Sequence, residues 1–239
     1  KSYYTLYIMT RLLYLLRLMM DLLLFFAVGK FLFMSYNSDV YSYGFWDVWQ
    51  VWFHGLTMDV STAGYVVAFP LLLAIISLWW RNLPVRWILW PYLTIISVCL
   101  GIIIGVDITL YEFWKFKLNA AIFSYMQTLE GAASSVSLWY MVSRVVGILL
   151  LTVALGRLLL RRTPTCFPAV RHRVAHTCML LLCGGMLFIG IRGGLQEGVM
   201  NVGVAYYSPT LFLNHAAVNP AFSLLSSLSK SKSFGKQFQ

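Results

Sequence analysis

Charge is what this sequence has least of. Only 11% of its 239 residues are Asp, Glu, Lys or Arg, and eight are acidic. A soluble domain carries about a quarter charged residues, so this chain cannot clothe its surface in polar groups. Lipid must be part of its solvent. Short segments of alternating hydrophobicity are missing, which excludes a membrane β-barrel. Cysteine is scarce. Cys99, Cys166, Cys178 and Cys183 show no C-x-x-C spacing, which argues against a disulfide framework or a zinc site. They read as small apolar side chains. No H-E-x-x-H, G-x-S-x-G or phosphate-cradling glycine loop occurs. No internal repeat of the transporter kind occurs, and few charges lie deep in the apolar runs, which argues against a small transporter. The first apolar run lacks a small-residue cleavage site and is not a cleavable signal. The chain begins at Lys1 rather than Met, so a few leading residues are expected before it.

Apolar residues are abundant: 60% of the chain is hydrophobic, 16% is aromatic, and mean hydropathy is +0.75. A membrane helix needs about 20 mostly apolar residues. Five runs qualify, at about 12–34, 60–80, 87–108, 137–159 and 174–191. The expected fold is an all-α membrane protein. Residues 1–191 form five transmembrane helices, with interfacial helices on the outer face. Gly184, Gly185 and Gly190 suit close packing of the fifth helix. Pro70 should kink the second or free one of its carbonyls.

The net charge of +10 follows the same layout. Lys1, Arg11 and Arg17 lie in residues 1–17, the basic approach that overlaps the start of the first span. Arg81 and Arg86 lie between the second and third. Arg157, Arg161, Arg162, Arg171 and Arg173 flank the loop between the fourth and fifth. Asp39, Asp47 and Asp59 fall in another interval, with no Lys or Arg between residues 35 and 60. The positive-inside rule then places the arginine-rich loops and the N-terminus inside and the C-terminus outside. Nucleic acid is not an expected partner; anionic lipid is. Arg17 and Asp21 read as a neutralised pair, and Lys30 as a snorkelling cation.

Three segments belong to the outer face. Phe45, Trp46, Trp49, Trp52 and Phe53 are spaced as on an interfacial helix. Residues 109–135 mix Glu112, Lys115, Lys117 and Glu130 with aromatics and read as short interfacial helices. Residues 192–228 carry Arg192, Glu197, His215 and two prolines, so they cannot span hydrocarbon. They form an outer-face collar, and 229–239 reads as a linker to a missing extracytoplasmic domain. His172 and His176 are four apart, too few ligands for a metal without a third. Gly193 and Gly194 end a helix rather than bind phosphate.

Charges beside lipid are costly unless paired or facing a watery cavity. Asp59, Asp107, Lys115, Lys117, Arg144 and Arg192 all sit near the outer end. One reading is structural pairing that docks the outer helices. The other is a lipid-headgroup site, in which Lys115, Lys117, Arg144 and Arg192 hold a phosphate and Asp59 and Asp107 orient those donors. No residue reads as catalytic.

Four stretches carry a family resemblance: HGLTMDVSTAGY (54–65), DITLYEFWKFKL (107–118), NVGVAY (201–206) and FLNHAAVNPAFSL (212–224). Together they resemble the membrane part of lipoteichoic acid synthase-like proteins. More narrowly, they are similar to sulfatase-fold phosphoglycerol and phosphoethanolamine transferases of Bacteroidetes-type bacteria. Thr57 stands where many relatives carry a basic residue. The resemblance implies a bacterial cytoplasmic membrane protein that moves a phospho-headgroup from a phospholipid through a phosphothreonine enzyme. It also implies an extracytoplasmic domain of the alkaline phosphatase superfamily, which would hold the nucleophile and a divalent metal, Mn or Zn. Those residues would lie beyond Gln239, so none is assigned here. The alternative is a non-catalytic membrane anchor or subunit of a larger complex.

Overall fold

The computed structural model describes residues 2–80, 82–125, 137–196 and 198–237. Arg81, Glu197 and Glu130 lie outside the described residues, as do the other members of 126–136. The described chain is helical, with no strand. Its long helices are α1 (Ser2–Tyr36), α2 (Phe45–Trp79), α3 (Val85–Trp114), α5 (Leu138–Leu160) and α6 (Arg173–Arg192). Each holds a segment long and apolar enough to cross a membrane. Between and after them come α4 (Ala121–Tyr125), a short 3₁₀ turn (Val202–Ala205), α7 (Leu211–Ala217) and α8 (Pro220–Gln237).

The helices outrun the apolar windows read from sequence. The aromatic segment at 45–53 is not a separate interfacial helix but the first turns of α2. No proline or turn cluster separates Phe53 from Val60, so nothing breaks the backbone ladder. At 35 residues α2 is about 52 Å long, well beyond the ~30 Å of hydrocarbon. Likewise α3 runs on to Trp114, and only α4 represents the expected short helices of 109–125. Residues 229–237 continue α8 as helix.

Packing is organised around α2, which buries the most residues. Its neighbours are α1 and α6, whereas α3 packs chiefly against α5. Pro70 lacks an N–H, so the Val66 carbonyl one turn earlier loses its helical partner. Tyr92 Oη of α3 donates to that carbonyl at 2.8 Å. Gly101 and Gly105 let α3 approach α5 closely. A Cβ on Gly101 would lie 2.9 Å from the Thr152 backbone. The glycines of α6 do less: a Cβ on Gly185 would meet nothing, and one on Gly190 would lie 3.2 Å from Val60. Gly193, at φ +92°, closes α6 in the left-handed conformation.

At the arginine-rich end, Arg11 is fully buried. Its Nε donates to Ser77 at 3.2 Å and its Nη1 to the Pro168 carbonyl at 2.9 Å. It therefore ties α1 to the end of α2 and to the loop before α6. Asp21 feels Arg162 and Arg161 as well as Arg17, so it is not a simple pair with Arg17.

The opposite end, called here the collar end, is plugged rather than merely covered. Phe212 through Val218, spanning most of α7 and its cap, are buried, several completely. Asn214 sets the approach. Its Oδ1 accepts from the Tyr207 and Ser208 backbone N–H groups at 2.9 and 2.8 Å. Its Nδ2 returns a bond to the Ser208 carbonyl at 2.7 Å.

Candidate functional site

Four charges and one amide meet beneath α7. Lys30 comes from α1, Asp59 from α2 and Asp107 from α3; Lys117 follows α3, and Asn219 stands just before α8. Lys30 Nζ lies 2.6 Å from Asp59 Oδ2, and Lys117 Nζ lies 2.7 Å from Asp107 Oδ2. All five residues are buried. They line one cavity of about 10 Å³, room for roughly a single water. Lys30 does not snorkel: its ammonium turns inward because a buried carboxylate satisfies it better than a lipid interface does.

Local geometry aims each group. Lys115, at φ 52°, takes the left-handed conformation after α3 and reverses the chain. That reversal returns Lys117 to Asp107, whose Oδ1 also accepts from the Leu118 N–H at 3.0 Å. Lys117 Nζ sits 3.9 Å from the Phe33 ring centroid, a cation–π contact. Burial pushes the Lys117 pKa down, and the Asp107 charge opposes that shift. Asn219 works in two directions. Its Oδ1 accepts from the Ala221 and Phe222 N–H groups at 3.0 and 3.3 Å, capping α8 ahead of Pro220. Its Nδ2 donates to Asp59 Oδ1 at 2.9 Å. Gly55 leaves the space that the Lys30 ammonium and the Ala217 carbonyl fill.

The cluster is electroneutral and closed. It has no room for a phosphate, and each carboxylate already holds a lysine. A divalent metal does not fit these residues: among those described, no three His, Cys, Asp or Glu side chains gather. The histidines are engaged singly. His54 stacks on Tyr207 with centroids 4.2 Å apart, and His176 Nδ1 contacts the His172 carbonyl. His215 Nδ1 lies 3.0 Å from Tyr111 Oη. Burial, with repulsion from Lys117, pushes the His215 pKa down to about 4.

Arg144 belongs to a second arrangement, on α5. Its guanidinium lies 4.5 Å from the Tyr36 ring centroid and 4.3 Å from that of Tyr140. Both tyrosine hydroxyls donate to Glu112 Oε2, at 2.6 and 2.7 Å. Among the described residues no carboxylate forms an ion pair with Arg144, and its buried Nε has no hydrogen-bond partner. The side chain borders an open cleft of about 310 Å³ between α1, α3 and α5. Leu32, Ile108, Ile148 and Leu151 make its apolar wall, and Ser143 lies beside the arginine.

The six residues read from sequence as a headgroup site thus divide. Asp59, Asp107 and Lys117 share the closed cavity, Arg144 borders the open cleft, and Lys115 and Arg192 are exposed elsewhere. Sequence reasoning missed Lys30, Asn219, Tyr36 and Tyr140. Two signals were available: a lysine inside an apolar run, and an Asn-Pro pair at a helix start. No family model, curated protein or solved structure matches this chain.

Proposed function

We propose that this chain is the membrane half of a phospholipid-dependent headgroup transferase, of the phosphoglycerol or phosphoethanolamine type. In this reading it sits in a bacterial cytoplasmic membrane with its N-terminus inside, and it holds a donor phospholipid at the collar end. The catalytic domain, with its threonine nucleophile and divalent metal, lies outside these residues. The resemblance of the four stretches supplies the reaction class.

The observation that carries the lipid role is Arg144. A guanidinium stacked between two tyrosines, with no carboxylate in ion-pair contact among the described residues and beside an apolar cleft, suits an anion with a hydrocarbon tail. Glu112, the nearby carboxylate, is occupied by the two tyrosine hydroxyls. The closed cluster beneath α7 has a supporting role. It fixes α8, the helix that would lead to the catalytic domain, to the bundle, so that the two halves keep a defined separation.

The test uses the full reading frame, reconstituted in liposomes with headgroup-labelled phosphatidylglycerol or phosphatidylethanolamine. Diacylglycerol release is measured. Arg144→Gln should lower turnover about tenfold, the worth of one charge-assisted hydrogen bond, with unfolding temperature unchanged. No diacylglycerol from either donor would favour the alternative, a non-catalytic anchor within a larger complex.

A further inference from the structure

A second cleft opens on another side of the bundle, between α2 and α3. These helices are consecutive, yet each packs mainly against other partners. They touch where Tyr92 bonds the Val66 carbonyl and packs at a tilt against Phe69, centroids 4.7 Å apart. They meet again at the buried cluster, where Asp59 and Asp107 share a cavity. Between these points they part. α8 roofs the gap: Asn219 fixes its start to α2, and Ser227 Oγ accepts from the Ala120 N–H at 2.8 Å beyond the end of α3. The open cleft beneath it has a volume of about 700 Å³.

We infer that this cleft takes one acyl chain of an anionic phospholipid, with α8 holding the phosphate. Three observations carry the inference. First, the cleft lies between two helices long and apolar enough to cross a membrane, so hydrocarbon is the medium expected to meet its open side. Second, its walls are apolar along Ile96, Cys99 and Ile103, and its roof is apolar at Phe222. A water-filled gap there would find few partners. Its volume falls within the ~300–1,000 Å³ range of small-molecule sites. Third, polarity changes along the roof in the order of a phospholipid: after Phe222 and Leu225 come Ser226, Ser229 and Lys230. The sequence of α8 contains no acidic residue, as expected of a helix beside anionic headgroups. This site shares no lining residue with the Arg144 cleft, and it does not depend on the transferase reading.

The test is photocrosslinking of the whole chain in phosphatidylcholine nanodiscs containing phosphatidylglycerol with a diazirine in one acyl chain. Label should map to residues 96–103 and to Phe222. It should exceed the label on Leu182, an exposed residue of α6, by about fivefold or more, the preference one lysine beside anionic headgroups gives. Cys99→Trp should fill the cleft and abolish that excess without changing label on Leu182. Ile103→Phe is the second filler should the first variant fail to fold. Lys230→Ala should bring labelling by the phosphatidylglycerol probe down to that of a phosphatidylcholine probe. Cleft labelling no greater than at Leu182, unaffected by either filler, or equal for the two headgroups in the native protein would overturn the proposal. Arg144→Gln should leave cleft labelling intact, which separates this site from the donor site proposed above.

Discussion

The Asn219 side chain caps α8 and at the same time donates to Asp59, a residue 160 positions earlier, at 2.9 Å. One amide therefore joins the helix that leaves the bundle to the buried charges at its centre. Asn219→Ala removes both roles. Loss of the cap alone costs about 1 kcal/mol. The fuller consequence is that α8 detaches, and amide hydrogen exchange at residues 223–228 should rise while that of α3 and α5 stays slow.

Asp59 and Lys30 share the burial cost of two ions. Asp59→Ala leaves the ammonium buried and unpaired, which should cost about 3–5 kcal/mol. Replacing both, as Lys30→Met with Asp59→Leu, should be less damaging than Asp59→Ala alone, because no charge is left stranded. Thermal unfolding in detergent measures each variant. A double variant as unstable as the single would show that the pair does more than neutralise itself.

Pro70 and Tyr92 make a compensated defect. Tyr92→Phe strands the Val66 carbonyl at a cost of about 1–3 kcal/mol. Adding Pro70→Ala restores the N–H of residue 70 and so a partner for that carbonyl. The second substitution should recover most of the stability lost in the first. Unfolding midpoints of the two single variants and the double variant decide it.

His215 predicts a pH dependence. Its folded pKa is about 4, below the ordinary value of 6.5. Between those values the unfolded chain binds a proton that the folded chain excludes, so stability rises with pH across the window. It is present in full above about 6.5 and is lost progressively as pH falls toward about 4. Unfolding temperature should drop over that range, and His215→Gln should flatten the drop.

Much of the architecture was legible. The five apolar runs became the cores of five helices because length and composition are local properties that a bilayer reads directly. Helix ends were less legible. The aromatic segment from Phe45 joined α2 because continuity depends on the absence of a break, and amphipathic spacing looks alike in a separate helix and in the first turns of a long one. Lys30 showed the same limit: an apolar run with one cation near its end fits a snorkelling chain equally well until a carboxylate partner is seen.

The sequence by itself determined that this chain carries five membrane-length helices and that its basic residues crowd the loops at one end. Both follow from what each segment contains. Only the tertiary structure decided which charges neutralise one another. Asp59 takes Lys30 from α1 and Asn219 from the start of α8, Asp107 takes Lys117 from the turn after α3, and Arg144 is left beside an open cleft. Those partnerships depend on how α1, α2 and α3 pack and on where α7 plugs them, and spacing along the chain does not encode that.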